Sequence, residues 1–341
     1  MAEDKQLPYV LSTLHPVLYS PDMTSCRQPP KTMNAEGDPR RIGVEIEFGG
    51  ISIGKAAALV QEIFGGEVCE PSPHIREVRN TDIGDFEVEL DAQLVHPKPG
   101  DDEFGLKARK LAGDLSSGFV PTEIVGPPAP LSSLADFDRL VQALREAGAE
   151  GTADGFSYAF GLQLNPEVPS DDAADILKVL QAYILMSPLL RRRIDVDTMR
   201  RLLPYVDPFP LSYARRILHP GYAPDMAALI DDYILDNPTR NRELDMLPLF
   251  MHLDEERVRS RLDDPLIKSR PTYHYRLPNT NFTDPNWNVT VEWNRWVIVE
   301  RLAADEGRRT QLAETFMTRN PEDFLDRLSV RTREWLEELI E

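Results

Sequence analysis

Arg41-Ile-Gly-Val-Glu-Ile-Glu-Phe48 reads as a short buried strand with glutamates at positions 45 and 47. Residues i and i+2 of a strand point to one side, so Glu45 and Glu47 share a face about 7 Å apart while Ile42, Val44, Ile46 and Phe48 fill the other. Two like charges held that way raise one carboxyl pKa through repulsion and loss of water, which costs stability. A bound divalent cation removes the conflict. On this segment alone the plainer reading, a half-exposed strand with a solvated acidic face, has the stronger claim. Other segments shift the balance.

Downstream of Phe48, Gly49-Gly50 precedes a helical run over about 55–64 that Gly65-Gly66 stops. Val78, Ile83 and Phe86-Glu-Val-Glu-Leu90 predict strands, with a turn at Gly84 and Asp91 at the strand end. Thr122-Glu-Ile-Val125 is another short strand, closed by Gly126-Pro127-Pro128. Leu134, Phe137, Leu140, Val141 and Leu144 then line one face of a helix before Gly148. The alternation of Phe156–Leu164 predicts a strand ended by Asn165-Pro166.

From about Ser170 the pattern is helical for roughly a hundred residues. Ser170-Asp-Asp caps a first helix, and shorter ones are expected over 211–218 and 224–235. Thr272–Leu277 reads as a late strand, followed by a long amphipathic helix over 285–305 and short helices over 321–328 and 330–340. This order predicts an α+β domain with a mainly antiparallel sheet and a helical insertion. Its divisions are an irregular arm (1–38), a first catalytic part (39–169), the insertion (170–268), and a closing strand with C-terminal helices (269–341). No solenoid repeat or low-complexity tract interrupts it.

A formal net charge of −19 argues against a basic footprint for nucleic acid or an anionic membrane surface. The opening Met-Ala-Glu-Asp-Lys lacks a secretory pattern, and no apolar run approaches the roughly 20 residues that span a bilayer, so a cytoplasmic location is expected. Cys26 and Cys69 stand far apart with no partners at metal spacing. No Gly-x-x-x-x-Gly-Lys phosphate loop, dinucleotide fingerprint or Gly-x-Ser-x-Gly turn is present.

Five segments occur in order: Gly43-Val-Glu-Ile-Glu-Phe48, Phe86-Glu-Val-Glu-Leu-Asp91, Pro121-Thr-Glu-Ile-Val-Gly-Pro-Pro128, Gly161-Leu-Gln-Leu-Asn165 and Tyr275-Arg-Leu-Pro-Asn279. The series, over roughly residues 40–305, resembles the amidoligase family, which has the glutamine synthetase-like carboxylate–amine ligase fold. Each motif is a few residues long; their number and order carry the resemblance. It implies that Glu45, Glu47, Asp91 and Glu123 bind divalent cations, Mg²⁺ or Mn²⁺, that bridge the phosphates of ATP. Hard cations take oxygen ligands and need only a few carboxylates. It also places Arg276 where the family has an arginine that meets the transferred phosphate, a role suited to a planar permanent charge. As a lone arginine, Arg276 would otherwise be read as a surface salt bridge.

Two departures stand out. Gln163 occupies a position where such ligases usually carry histidine, and His274 one where they carry glutamate. An exchange of ligand types would let His274 supply the nitrogen that Gln163 cannot. A lost second metal, or a packed histidine between Tyr273 and Tyr275, are the alternatives, and Glu292 competes for the missing glutamate from a helical pattern. Arg191-Arg192-Arg193 and Arg200-Arg201 read as solvated helix ends or salt-bridge partners to the many acids. Arg240 and Arg242 lie on an inter-helix loop that could close over an anion, and Arg270, just before the late strand, is a further phosphate candidate.

The resemblance therefore implies an ATP-dependent ligase acting through an acyl phosphate, with Glu123 and Arg276 at the reacting groups. Its substrates would be a carboxylate and an amine, in small molecules or peptides. A catalytically silent binding protein and a two-carboxylate hydrolase are the contrasting readings.

Overall fold

The computed structural model describes residues 25–90, 121–152, 160–194 and 206–318. Asp91, Arg200-Arg201, the start of the strand expected from Phe156, most of the N-terminal arm and the helices expected beyond 320 lie outside them.

A single antiparallel sheet organises the described residues. Its strands are β1 (Arg41–Phe48), β2 (Glu67–Ser72), β3 (Ile75–Thr81), β4 (Gly84–Leu90), β5 (Thr122–Val125), β6 (Ala129–Pro130), β7 (Leu162–Pro166), β8 (Leu244–Asp245) and β9 (His274–Tyr275). The order across the sheet is β2-β3-β4-β5-β1-β7-β9-β8, with β6 paired to the start of β1. The strand carrying Glu45 and Glu47 is thus central, with antiparallel partners on both sides.

The helices are α1 (Ile53–Phe64), α2 (Leu134–Glu146), α3 (Ala173–Arg193), α4 (Leu211–Ile217), α5 (Met226–Asp236), α6 (Leu247–Leu253), α7 (Glu255–Arg259), α8 (Val289–Ala304) and α9 (Glu306–Thr318). Together with the sheet they make the α+β architecture that the order of elements predicts. Local chemistry explains several boundaries. Ser52 caps α1 by accepting from Lys55 N at 3.3 Å, and Gly65 and Gly66, both at positive φ, end it. A Cβ on Gly66 would stand 2.4 Å from the carbonyl oxygen of Arg79, so glycine is required there for space as well as conformation. Asp172 caps α3 through Ala174 N at 2.7 Å.

Alternation along the strands gives the sheet two unlike faces. One carries Ile42, Val44, Ile46, Phe48, Phe86, Val88, Ile124, Leu162, Leu164 and Tyr275, all buried in one continuous core. Phe64 of α1, Phe86 of β4 and Phe137 of α2 form a ring cluster with centroids 4.8–5.9 Å apart. At the other end Tyr275 meets Tyr183 of α3 at 5.9 Å and Trp296 of α8 at 5.5 Å. The second face carries the glutamates.

Several expectations from sequence change here. The late strand shrinks to His274–Tyr275, although Thr272 and Asn279 still bridge to Glu167 and Gly161 beside β7. Helix α8 begins at Val289 instead of near Pro285, because Asn288 accepts from Val291 N at 2.8 Å and caps it there. Strand β2 was not expected, since Pro71 and its polar neighbours break the alternation. The insertion also supplies an unexpected strand, β8, which pairs Leu244 with Tyr275 and Asp245 with His274. Finally, α3 is long and apolar enough to cross a membrane by composition, at a mean hydropathy of 1.4, contrary to the reading of short apolar runs. Lysine, glutamine and tyrosine interrupt the run in sequence, yet 61% of its apolar window is buried inside the fold.

Candidate active site

The polar face of the sheet gathers most of the residues singled out above. Strand register sets Glu47 opposite Glu123, and Glu123 opposite Glu89 on its other side. Directly opposed residues share a face with Cβ atoms about 4.5–5.5 Å apart, so three carboxylates form a row across β1, β5 and β4. Glu89 was not among the sequence candidates. The burial of Phe86 and Val88 on alternate positions is the signal that could have found it, because alternation puts Glu87 and Glu89 on the opposite face.

Glu47 is held by two donors. Gly161 N donates to its Oε2 at 2.8 Å, and Gln163 Nε2 donates to its Oε1 at 2.7 Å. Gln163 in turn sets its Oε1 2.7 Å from His274 Nε2. His274 therefore does not join the carboxylate row; it stands behind Gln163, with Nδ1 3.7 Å from Asp245 Oδ2. That separation is beyond a hydrogen bond, and Nδ1 has no hydrogen-bond partner among the described residues. Burial pushes the His274 pKa down, and Arg276 adds to the lowering, against the opposing pull of Asp245 and Glu45.

Glu45 has a different environment from Glu47. Asn165 Nδ2 donates to its Oε1 at 3.0 Å and Arg270 Nη1 at 2.7 Å. Burial alone would raise this carboxyl, but neighbouring positive charge and those two hydrogen bonds outweigh it and hold the pKa below the usual value. Arg270 is the partner that counts at neutral pH, because a buried His274 with a lowered pKa carries no charge there. Glu45 is thus an ion-paired carboxylate, while Glu47 belongs to the row.

Arginines from two segments, the loop before β8 and the residue after β9, meet beside this region. Arg276 follows β9, and its Nη1 donates to the Arg240 carbonyl at 2.5 Å. Burial and the nearby Arg276 charge both lower the Arg240 pKa, offset by Asp245, Asp264 and Glu45. The half-buried Arg240 guanidinium makes no hydrogen bond or ion pair among the described residues. Arg242 differs: its guanidinium bonds the carbonyls of Pro208 at 2.9 Å and Asp236 at 3.4 Å, which ties down the insertion. Glu292 lies in α8, where its Oε1 accepts from Trp287 Nε1 at 3.1 Å and Arg295 Nη1 at 2.5 Å, while its Oε2 is buried with no hydrogen-bond partner among the described residues.

A family model described as "Putative amidoligase enzyme" matches residues 38–298. The chain belongs to the amidoligase family. No curated protein and no solved structure matches it. The match runs from just before β1 into α8, so the carboxylate row, Gln163, His274, Arg240, Arg242, Arg270 and Arg276 of this family member all fall within it. Membership carries a ligase-type role in general.

The donor chemistry fits Mg²⁺ or Mn²⁺ better than a closed metal cage. Among the described residues no three His, Cys, Asp or Glu side chains already enclose a metal position. Mg²⁺ is ordinarily held by one or two carboxylates plus substrate phosphates and water, and a row of carboxylates open to one side provides that. Glu47 and Glu123, direct partners in register, are the pair suited to it.

Proposed function

We propose that this family member is an ATP-dependent carboxylate–amine ligase whose site is the polar face of the sheet around β1. The observation that carries the reading is a carboxylate row, Glu89-Glu123-Glu47, together with the nearby half-buried Arg240, whose guanidinium feels the charges of Asp245, Asp264 and Glu45 yet makes no ion pair among the described residues. Folded proteins seldom leave a partly buried guanidinium unpaired, since desolvation without compensation is costly. An anionic ligand supplies the missing partner. A triphosphate supplies it while also bringing the oxygens that complete a divalent ion's shell.

In this reading an oxygen of the substrate carboxylate attacks the γ-phosphorus of ATP, and ADP departs. The amine then attacks the carbonyl carbon of the acyl phosphate and expels phosphate, leaving an amide. A divalent ion, when bound, neutralises charge on the phosphate oxygens. Glu47 and Glu123 would hold it, with Gly161 N and Gln163 fixing the angle of Glu47. Arg240 and Arg276 would bear on the transferring group, where a preorganised positive charge counts most in the transition state. Arg270, paired to Glu45, lies at the margin of this cluster. Peptides, proteins or amino-acid-like molecules are the substrate class that the family resemblance supports.

One observation favours a second reading, a binding protein without turnover. Glu45 is already neutralised by Arg270 at 2.7 Å, which leaves fewer carboxylates for a second ion. ADP release measured with Mg²⁺ and panels of amino acids and amines separates the two. The ligase reading expects release that needs a metal, a carboxylate and an amine together, and a loss of about 100-fold in Glu123→Gln. Tight nucleotide binding with no ADP formed under any pairing would favour the second.

A further inference from the structure

Gln163 touches the carboxylate row with one end and His274 with the other, and the two contacts are not independent. A carboxylate can only accept, so Glu47 Oε1 at 2.7 Å requires the amide nitrogen of Gln163 to face it. The amide oxygen is then committed to His274 Nε2 at 2.7 Å, and that ring nitrogen must carry hydrogen. Burial keeps the ring neutral, so Nδ1 bears the lone pair. Nδ1 is the ring atom with no hydrogen-bond partner among the described residues, facing a second acceptor, Asp245 Oδ2, at 3.7 Å. Left to itself, a neutral histidine beside a carboxylate would turn its N–H toward that carboxylate, since a charged acceptor binds a donor about twice as strongly as an amide oxygen does. Something must hold the proton on the far nitrogen.

We propose that Gln163 is a positioning residue that does two jobs through one amide: it fixes the Glu47 carboxylate toward the metal side and imposes on His274 the tautomer with hydrogen on Nε2. The consequence for turnover rests on the ligase reading; the structural part does not. Gln163 and Gly161 N donate to one Glu47 oxygen each, and together they fix the angle of the carboxylate. The buried His274 is left with an unprotonated Nδ1 beside Asp245, an acceptor pair contributed by β9 and β8. A group of this kind, orienting a ligand by hydrogen bonding without touching the metal, typically changes metal affinity by about 10- to 100-fold when removed.

Two variants separate the two jobs. Gln163→Met, of similar length but without hydrogen-bonding groups, removes both contacts. Gln163→Glu keeps an acceptor for His274 and removes the donor to Glu47. The ring-nitrogen shifts of His274 in ¹⁵N-histidine-labelled full-length protein report the tautomer directly, with the signal assigned by its loss in His274→Gln from among the six histidines. Wild type and Gln163→Glu are expected to show hydrogen on Nε2, and Gln163→Met to show it on Nδ1. Mn²⁺ titration of the same samples, followed by electron paramagnetic resonance without nucleotide, is expected to weaken about tenfold or more in Gln163→Met. An Nε2–H signal in Gln163→Met, or Mn²⁺ affinity within twofold of wild type, overturns the proposal. Because neither readout involves ATP, a protein that shows both changes yet turns over no nucleotide would uphold the role of Gln163 while rejecting the ligase reading.

Discussion

Replacing Glu300 by glutamine tests how the central strand is anchored. Arg40, just before β1, and Glu300, in α8, form a two-pronged ion pair at 2.7 and 2.8 Å, with side chains only 1% and 5% exposed. Trp296 Nε1 also donates to Glu300 at 2.7 Å, and Arg40 donates further to the carbonyls of Lys31 at 2.8 Å and Glu167 at 2.7 Å. Glu300→Gln keeps the shape but leaves the guanidinium charge buried without its counter-ion. Removing one partner of such a pair costs about 3–5 kcal/mol. Against a total stability of about 5–15 kcal/mol, that loss should move the urea midpoint well clear of experimental error. The double variant Arg40→Met/Glu300→Met removes both charges and leaves two carbonyls and one indole N–H short of a partner, at about 1–3 kcal/mol each. It should therefore fall short of the sum of its single variants by about 2 kcal/mol or more. Glu300→Gln within about 1 kcal/mol of wild type, or strictly additive single variants, would refute the argument.

Two further outcomes follow from the site. Arg240→Met should leave the melting temperature unchanged or raise it, because it removes an unpaired cation beside Arg276, while weakening ATP about 10- to 100-fold, as loss of a charged hydrogen bond implies. A lower melting temperature with unaltered nucleotide affinity would show a purely structural arginine. His274 sets a pH window: its folded pKa is depressed below the ordinary value near 6.5, so between those values only the unfolded chain takes up the proton. Stability is then full above about pH 6.5 and falls below it, by up to about 1.4 kcal/mol per pH unit, until the folded pKa is reached. Urea midpoints from pH 7.5 to 5 should decline less steeply in His274→Gln, and parallel curves would count against the shift.

Alternation and caps carry most of what the sequence reveals about this fold. Ile42, Val44, Ile46 and Phe48 announce one face of β1, Thr122–Val125 is found at its observed bounds, and Gly65-Gly66 stops α1 where expected. Two-residue strands such as β8 leave no periodicity to detect; Leu244 and Asp245 become a strand only because β9 lies beside them. The site divides in the same way. Glu45, Glu47 and Glu123 share a face by strand period and register, and that could be anticipated. The pairing of Glu45 with Arg270, 225 positions away, and the stacking of His274 behind Gln163 depend on tertiary approach that no local pattern encodes. Arg240 and Arg242 look equivalent in sequence, yet Arg242 ends on backbone carbonyls of its own insertion while Arg240, beside Arg276, makes no hydrogen bond or ion pair through its guanidinium among the described residues.

Mn²⁺ binding in the presence of a non-hydrolysable ATP analogue, read as the magnetic coupling between the ion and ³¹P, tests the carboxylate row most directly. Wild type should hold the ion with phosphorus in its shell, and Glu47→Gln and Glu123→Gln should each lose that complex while keeping the wild-type melting temperature within a few degrees. A ³¹P coupling that survives in both variants, or never forms in wild type, would contradict the assignment of this face as a metal–triphosphate site.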